Sequence, residues 1–219
     1  MNRIKLIHDA AAKLFIKQGY SGTQISHIAD AVGVAVGTIY HDFSGKQEIK
    51  NLILRASVED GFLGSQLEVP IKGDLFLNLE DQILKSFKTS SHEFARHIAN
   101  KADNYSFEDL VSDSFDMLSR HAAGCLFIEK NQSDSGKLYD YYTDYRRKFF
   151  QTMKEYLLLF IERGEVRPLQ DVELTTVMII EILSWWAMDV RYSSFETIDV
   201  SHDAARALCV DNIVTAYRA

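Results

Sequence analysis

Between Thr23 and Lys46 the chain reads TQISHIADAVGVAVGTIYHDFSGK, an order of residues that few backbones accommodate. Thr23 is placed to cap a short helix, its hydroxyl accepting from a free N–H of the opening turn. Ile25, Ile28, Ala29 and Val32 then recur at helical spacing and define one inward face. Gly33 follows the last of them, where a left-handed C-cap excludes most side chains. Val34 fills the corner. A second short helix over residues 36–42, opening with the run Val36 to Tyr40, turns Ile39 inward and leaves Thr38, Tyr40 and His41 free to face outward. Two short helices across a glycine turn form a helix-turn-helix, whose second helix lies in the major groove of duplex DNA.

The remainder is patterned for helices. Only two prolines, Pro70 and Pro168, interrupt 219 residues, and glycines do not cluster. Residues 3–18 carry Ile4, Ile7, Ala11, Leu14 and Phe15 on one face, and a helix from Lys46 to about Asp60 points Ile49, Leu52, Ile53 and Ala56 inward. Gly61 to Gly73 is a break. Leu75, Leu79, Ile83 and Phe87 repeat every four residues, and Phe94, Ala95 and Ile98 continue the stripe after a kink near Ser90 and Ser91. Phe107 to Leu118 and Ala122 to Ile128 are two further apolar runs, and 131–136 is a loop by composition. Leu138 to Glu162 forms a long helix that Gly164 ends and Pro168 prevents from continuing. Asp171 to Tyr192 is apolar almost all round, so it needs burial on more than one side. With a last helix near Ser201 to Arg218 it is the natural place for a two-fold interface, a four-helix bundle with the partner's pair.

The fold class expected is therefore all-α: a three-helix helix-turn-helix head over residues 1–50, then a larger helical ligand-binding and dimerisation domain over 51–219. Charge divides the same way. The net charge of −7 splits into +2 for residues 1–50 and −9 for the rest, so the acidity lies where phosphates need not be met. A mildly basic head implies modest non-specific affinity and a shallow salt dependence. Cys125 and Cys209 stand far apart in apolar contexts and read as reduced core thiols of a cytoplasmic protein. No stretch approaches the roughly 20 apolar residues of a membrane span.

Ala29, Gly33, Val34, the run Gly37-Thr38-Ile39-Tyr40, Phe43 and Lys46 resemble the N-terminal signature of the TetR family of bacterial transcriptional regulators. The likeness extends back through Ile7, Ala10, Ala11, Leu14 and Phe15 to Gly19 and Tyr20. The resemblance implies a homodimeric repressor on a pseudo-palindromic operator, released by a small molecule. It implies phosphate contacts from Tyr40 and Lys46, and Thr23 is a further hydroxyl donor. Ser26, Val36, Gly37, Thr38 and His41 are the base-edge candidates: Gly37 admits close backbone approach and Val36 suits a thymine methyl. Two positions depart from the family pattern. Ala35 stands where Ser is frequent and cannot cap. Asp42 stands where an aromatic or His is frequent, and facing outward it would repel phosphate. On that reading Asp42→Asn tightens binding to all sequences alike.

The effector side is less constrained. Phe94, Phe115, Phe127, Tyr145, Phe149 and Trp185 are aromatic candidates for a ligand wall, with core packing as the plain alternative. Glu181 and Glu129 interrupt or follow apolar runs. A carboxylate among aromatics suits a lipophilic cation, unless each pairs with a neighbouring Arg, Lys or Tyr. No cofactor or metal is implied. No glutamate has a histidine three residues on, and there is no phosphate loop or Gly-x-Ser-x-Gly, so nothing supplies a catalytic set. A DNA-binding adaptor acting through protein partners, and more remotely a helical-bundle enzyme, are the competing readings.

Overall fold

A computed structural model describes residues 2–194 and 198–219. Among these the architecture is all-α: α1 Arg3–Gln18, α2 Ile25–Val32, α3 Val36–Asp42, α4 Lys46–Ala56, α5 Leu79–Ala95, α6 Phe107–Lys130, α7 Gln132–Ser135, α8 Lys137–Glu162, α9 Val172–Ser184, α10 Val190–Tyr192 and α11 His202–Tyr217. Extended pairing is confined to two isolated bridges, Phe43 with Ile71 and Val166 with Arg218. No described helix is long and apolar enough to cross a membrane.

Contacts group the chain into two compact units, Met1–Ser86 with His121–Asp140, and Phe87–Arg120 with Tyr141–Ala219. In the first, α1 starts from Asn2, whose side chain accepts the Ile4 N–H at 3.0 Å. Ile7, Phe15, Ile28, Ile39, Phe43, Ile49, Leu52 and Ile53 are sealed from solvent and form the core of the head. The segment after α4 is stitched to the end of α3: Ile71 donates to the Asp42 carbonyl at 2.8 Å, and Ser44 donates back to Ile71 at 3.0 Å. Gly124 of α6 lies so close to the end of α4 that a Cβ there would meet Ser57 Oγ at 2.1 Å, so only glycine permits this approach. His121, one turn earlier, is buried with Nδ1 2.6 Å from the Ser57 carbonyl.

The second unit is held by aromatics. Tyr156 donates to the Phe94 carbonyl at 2.6 Å, and its ring meets Phe94, Tyr105 and Phe160 within 6.2 Å. Gly164, at φ 71°, closes α8. A single π-helical turn, Trp185–Asp189, joins α9 to α10. Burial pushes the Cys209 thiol up to about 11, and Cys125 is also buried and unbonded as a disulfide.

Several boundaries differ from the periodicity reading. The stripe at Leu75 belongs to a 3₁₀ turn, Gly73–Phe76, and α5 begins at Leu79. The helix is not interrupted at Ser90 and Ser91; Ser91 folds its hydroxyl onto the Phe87 carbonyl at 2.9 Å and α5 runs on to Ala95. Ile98 lies in a separate 3₁₀ turn. The runs at Phe107 and Ala122 are one helix, because the polar residues between them do not break the ladder. The stretch 131–136 contains the helical turn α7, and α4 stops at Ala56 rather than near Asp60.

Candidate nucleic-acid interface

The corner between α2 and α3 is built on Gly33, at φ 77° and ψ 37°, whose N–H reaches the Ala29 carbonyl at 2.9 Å. Val34 N–H shares that carbonyl at 3.0 Å. A Cβ at Gly33 would meet nothing within 4 Å, so backbone conformation and not space demands glycine here. The cap of α2 is Gln24, not Thr23: His27 accepts the Gln24 N–H at 3.2 Å. Thr23 is fully buried, its hydroxyl donating to the Gly19 carbonyl at 2.7 Å and accepting from Gln18 at 3.1 Å. Its hydroxyl therefore closes the α1–α2 turn instead of facing solvent.

On α3, Ile39 is buried and the opposite face is open. Val36 is 40% and Tyr40 54% exposed, His41 and Gly37 are exposed, and Thr38 and, on α2, Ser26 are half-buried. Around Gly37 a Cβ would meet nothing within 4 Å, so a partner's surface could approach the backbone. Ala35 makes no capping bond, as its side chain dictates.

Asp42 corrects the sequence reading. It ends α3 and points inward, its side chain 1% exposed. Arg3 grips it with both nitrogens, Nε–Oδ2 at 2.5 Å and Nη2–Oδ1 at 2.6 Å, and His41 Nδ1 lies 3.0 Å from Oδ1. The hydrogen bonds from Arg3, opposed by burial and aided by His41, hold its carboxyl below the usual carboxylate range. An inward, neutralised carboxylate offers no charge to repel a phosphate. The signal missed was Arg3, which looks like any basic residue at a helix start.

Lys46 is likewise employed within the head. Its Nζ donates to the carbonyls of Tyr20 and Thr23, both at 2.8 Å, and lies 4.3 Å from the centre of the Tyr20 ring. Those are carbonyls at the end of the α1–α2 turn, so Lys46 pins the loop that sets the angle of the helix pair. One of its three donors remains for an anion.

A second brace was not foreseen. Asn131 is buried; its Oδ1 accepts the Tyr20 N–H at 2.6 Å, and its Nδ2 donates to the carbonyls of Phe15 at 3.0 Å and Phe127 at 2.9 Å. The Phe15 carbonyl is one of the four that α1 leaves unpaired at its C-terminus. The rings of Phe15, Tyr20 and Phe127 meet edge-on at 5.1 to 6.1 Å around it, and Ser21 donates to Asp134 at 3.0 Å.

The effector candidates are not all gathered together. Phe127 belongs to the first unit, in the ring cluster just described. Phe94 meets Phe149 at 5.0 Å and Tyr145 stacks on Phe87 at 4.7 Å, both within the second unit, whereas Phe115 packs edge-on to His202 at 5.7 Å. Glu181 and Trp185 are exposed on the outer side of their helix rather than in an aromatic interior. Glu181 faces Arg146 at 3.7 Å and Glu129 faces Lys130 at 3.2 Å, the paired alternative.

Residues 7–51 match the family described as bacterial regulatory proteins, tetR family. The HTH-type transcriptional repressor KstR2 of Rhodococcus jostii (strain RHA1) is 36% identical over 81 residues, covering 36% of this chain and 39% of that protein. The repressor of the same name from Mycobacterium tuberculosis (strain H37Rv) is 27% identical over 88 residues, covering 40% and 44%. The matched stretch thus spans about two fifths of these relatives. The solved structure of the ketosteroid transcriptional regulator KstR2 of Mycobacterium tuberculosis superposes on 100% of this chain and 96% of its own, with a TM-score of 0.53 at 18% identity, a likeness of fold. With a glycine-cornered helix pair inside the matched stretch, residues 7–51 form a domain of the tetR family of bacterial regulatory proteins.

Proposed function

We propose that this chain is a cytoplasmic transcriptional repressor that binds a pseudo-palindromic operator as a homodimer and releases it on binding a small hydrophobic or cationic effector. The observation that carries the reading is the outer face of α3, where Val36 and Tyr40 stand exposed beside the open backbone of Gly37. Nothing in the head buries these side chains, and a major groove would, with Val36, Gly37, Thr38 and His41 toward base edges and Tyr40 toward phosphate. Ser26 and Lys46 complete the contact set, and Thr23 is left out because its hydroxyl is spent inside. In this reading residues 1–50 carry DNA recognition and 51–219 carry effector binding and dimerisation.

Fluorescence anisotropy on the DNA upstream of the protein's own gene, against a scrambled duplex, tests it. Selective binding that Tyr40→Ala weakens about fivefold on both duplexes alike is expected, the mark of a phosphate contact. Equal, weak binding to both duplexes refutes operator recognition. An operator complex that no effector releases and that recruits a protein instead favours the adaptor.

The dimer reading rests on α9. Leu174 is 62% and Met178 56% exposed, and Ile182 and Trp185 follow on the same face at helical spacing, with Leu208 of α11 also exposed. Met178→Glu is expected to raise the dimer dissociation constant about tenfold, measured by analytical ultracentrifugation. An unchanged constant would remove α9 from the interface.

For the effector, Phe94 lines a cleft of about 210 Å³ with Glu93, Asp113 and Asp116 beside it. Arg96 and Arg120 line it too, and Asp116 is gripped by Arg206 at 2.6 and 2.9 Å, so Glu93 and Asp113 are the carboxylates left to meet a cation beside Phe94. This grouping replaces Glu181 and Trp185, which fit the dimer face better.

A further inference from the structure

Within the first unit, a cleft of about 530 Å³ opens between α4, the start of α5 and the corner from α6 to α8. Its polar groups form an ordered relay. Tyr20 donates to Gln47 Oε1 at 3.3 Å, and Gln47 Nε2 donates to Asn51 Oδ1 at 2.9 Å, leaving the Asn51 amide nitrogen as a donor with no partner among the described residues. Beside it Lys50 has a single, long acceptor, the Asp134 carbonyl at 3.5 Å, and lies 5.2 Å from the Tyr20 ring centre. Burial lowers the Lys50 pKa against the pull of Asp134 and Glu80, consistent with an ammonium short of solvent and of acceptors. Both donors line the cleft, and a carboxylate there would accept from them. Glu80 and Asp81 line the same cleft and call for a positive charge, while the edges of Leu79 and Leu138 supply apolar wall.

We propose that this cleft binds a small zwitterion bearing an apolar group, with the chemistry of a free aliphatic amino acid. Its carboxylate rests on Lys50 and Asn51, its ammonium points to Glu80 and Asp81, and its side chain lies on Leu79 and Leu138. A simple anion would meet the carboxylates of Glu80, Asp81 and Asp134, which outnumber Lys50, and a simple cation would meet Lys50; a ligand with both charges answers both walls. Phe127 and Asp134 also brace the turn after α1, so occupancy is expected to change operator affinity, a consequence that rests on the operator reading above.

Isothermal titration calorimetry of the full chain without DNA tests the site independently of that reading. The probes are L-leucine, isovalerate (carboxylate alone) and isopentylamine (ammonium alone). L-Leucine is expected to bind at one site per chain, with each single-charge probe at least tenfold weaker. Lys50→Met is expected to abolish the binding. Glu80→Gln, an exposed position that leaves folding intact, is expected to weaken L-leucine about tenfold and leave isovalerate unchanged or tighter. No saturable binding of L-leucine, equal binding of either single-charge probe, or full binding by Lys50→Met would overturn the proposal.

Discussion

Asp42→Asn is expected to loosen the head and weaken operator binding, the opposite of what an outward-facing aspartate would do. The substitution keeps the shape but removes the charge that Arg3 grips with two nitrogens and that His41 adjoins. Arg3 is half-exposed, so solvent screens part of the loss. Asp42 is buried, and its bonds tie the end of α3 to the start of α1. A fall of about 5 °C in melting midpoint is expected, the scale of a mid-sized defect in a chain of this length. Operator affinity should fall with it, because the end of α3 is no longer fixed. Arg3→Ala should reproduce the melting defect. Tighter binding of Asp42→Asn to all DNA would mean that the carboxylate faces phosphate after all.

The same pair makes a pH prediction. The Asp42 carboxyl is depressed in the folded state, so folding favours its ionised form. Its contribution is fully present above the unfolded value near 3.9 and is lost as pH falls through the lower, folded value. Wild type should therefore show steeper acid destabilisation than Asp42→Asn below about pH 4. Parallel stability curves for the two proteins in that window would sink the assignment.

Asn131→Ala is expected to have the larger effect on stability. It removes three hydrogen bonds at once and leaves the Tyr20 N–H and the Phe15 carbonyl buried without those partners. Each unsatisfied buried group costs about 1–3 kcal/mol, so a total of roughly 2–4 kcal/mol is expected by urea denaturation. Asn131→Asp should be worse than alanine: an ionised carboxylate still accepts from Tyr20 but turns its second oxygen toward two carbonyls. Stability equal to wild type in either variant would show that Asn131 is not a brace. The cleft lined by Lys50 shares this corner, since Phe127 and Asp134 belong to both, so Asn131 variants should also disturb ligand uptake there.

Much of the head was legible in the sequence because its determinants are local. The boundaries of α1 and α3, the left-handed Gly33 and the outward Tyr40 and His41 follow from spacing of three and four residues and from one backbone angle, whereas Thr38, expected outward with them, is half-buried. The long α8 and its stop at Gly164 follow for the same reason. Joining Phe107 and Ala122 into one helix was less accessible, since a polar interval between apolar runs looks the same whether the ladder breaks or continues. The ligand-wall aromatics were less accessible still: apolar character marks burial but not which cluster a ring joins, and Phe127 joined Phe15 and Tyr20.

By itself the sequence determined the helical class, the helix pair and its exposed outer face, because hydrophobic period and cap chemistry act between neighbours along the chain. The tertiary structure alone decided that Asp42 turns inward, that Thr23 and Lys46 close a turn, and that Asn131 caps α1. Arg3 and Asp42 are separated by 39 residues, and Tyr20 and Asn131 by 111. A lone Arg, Asp or Asn carries no periodic signal of a partner so distant. Such polar side chains find their role only when packing has already brought the backbone groups they satisfy within about 3 Å.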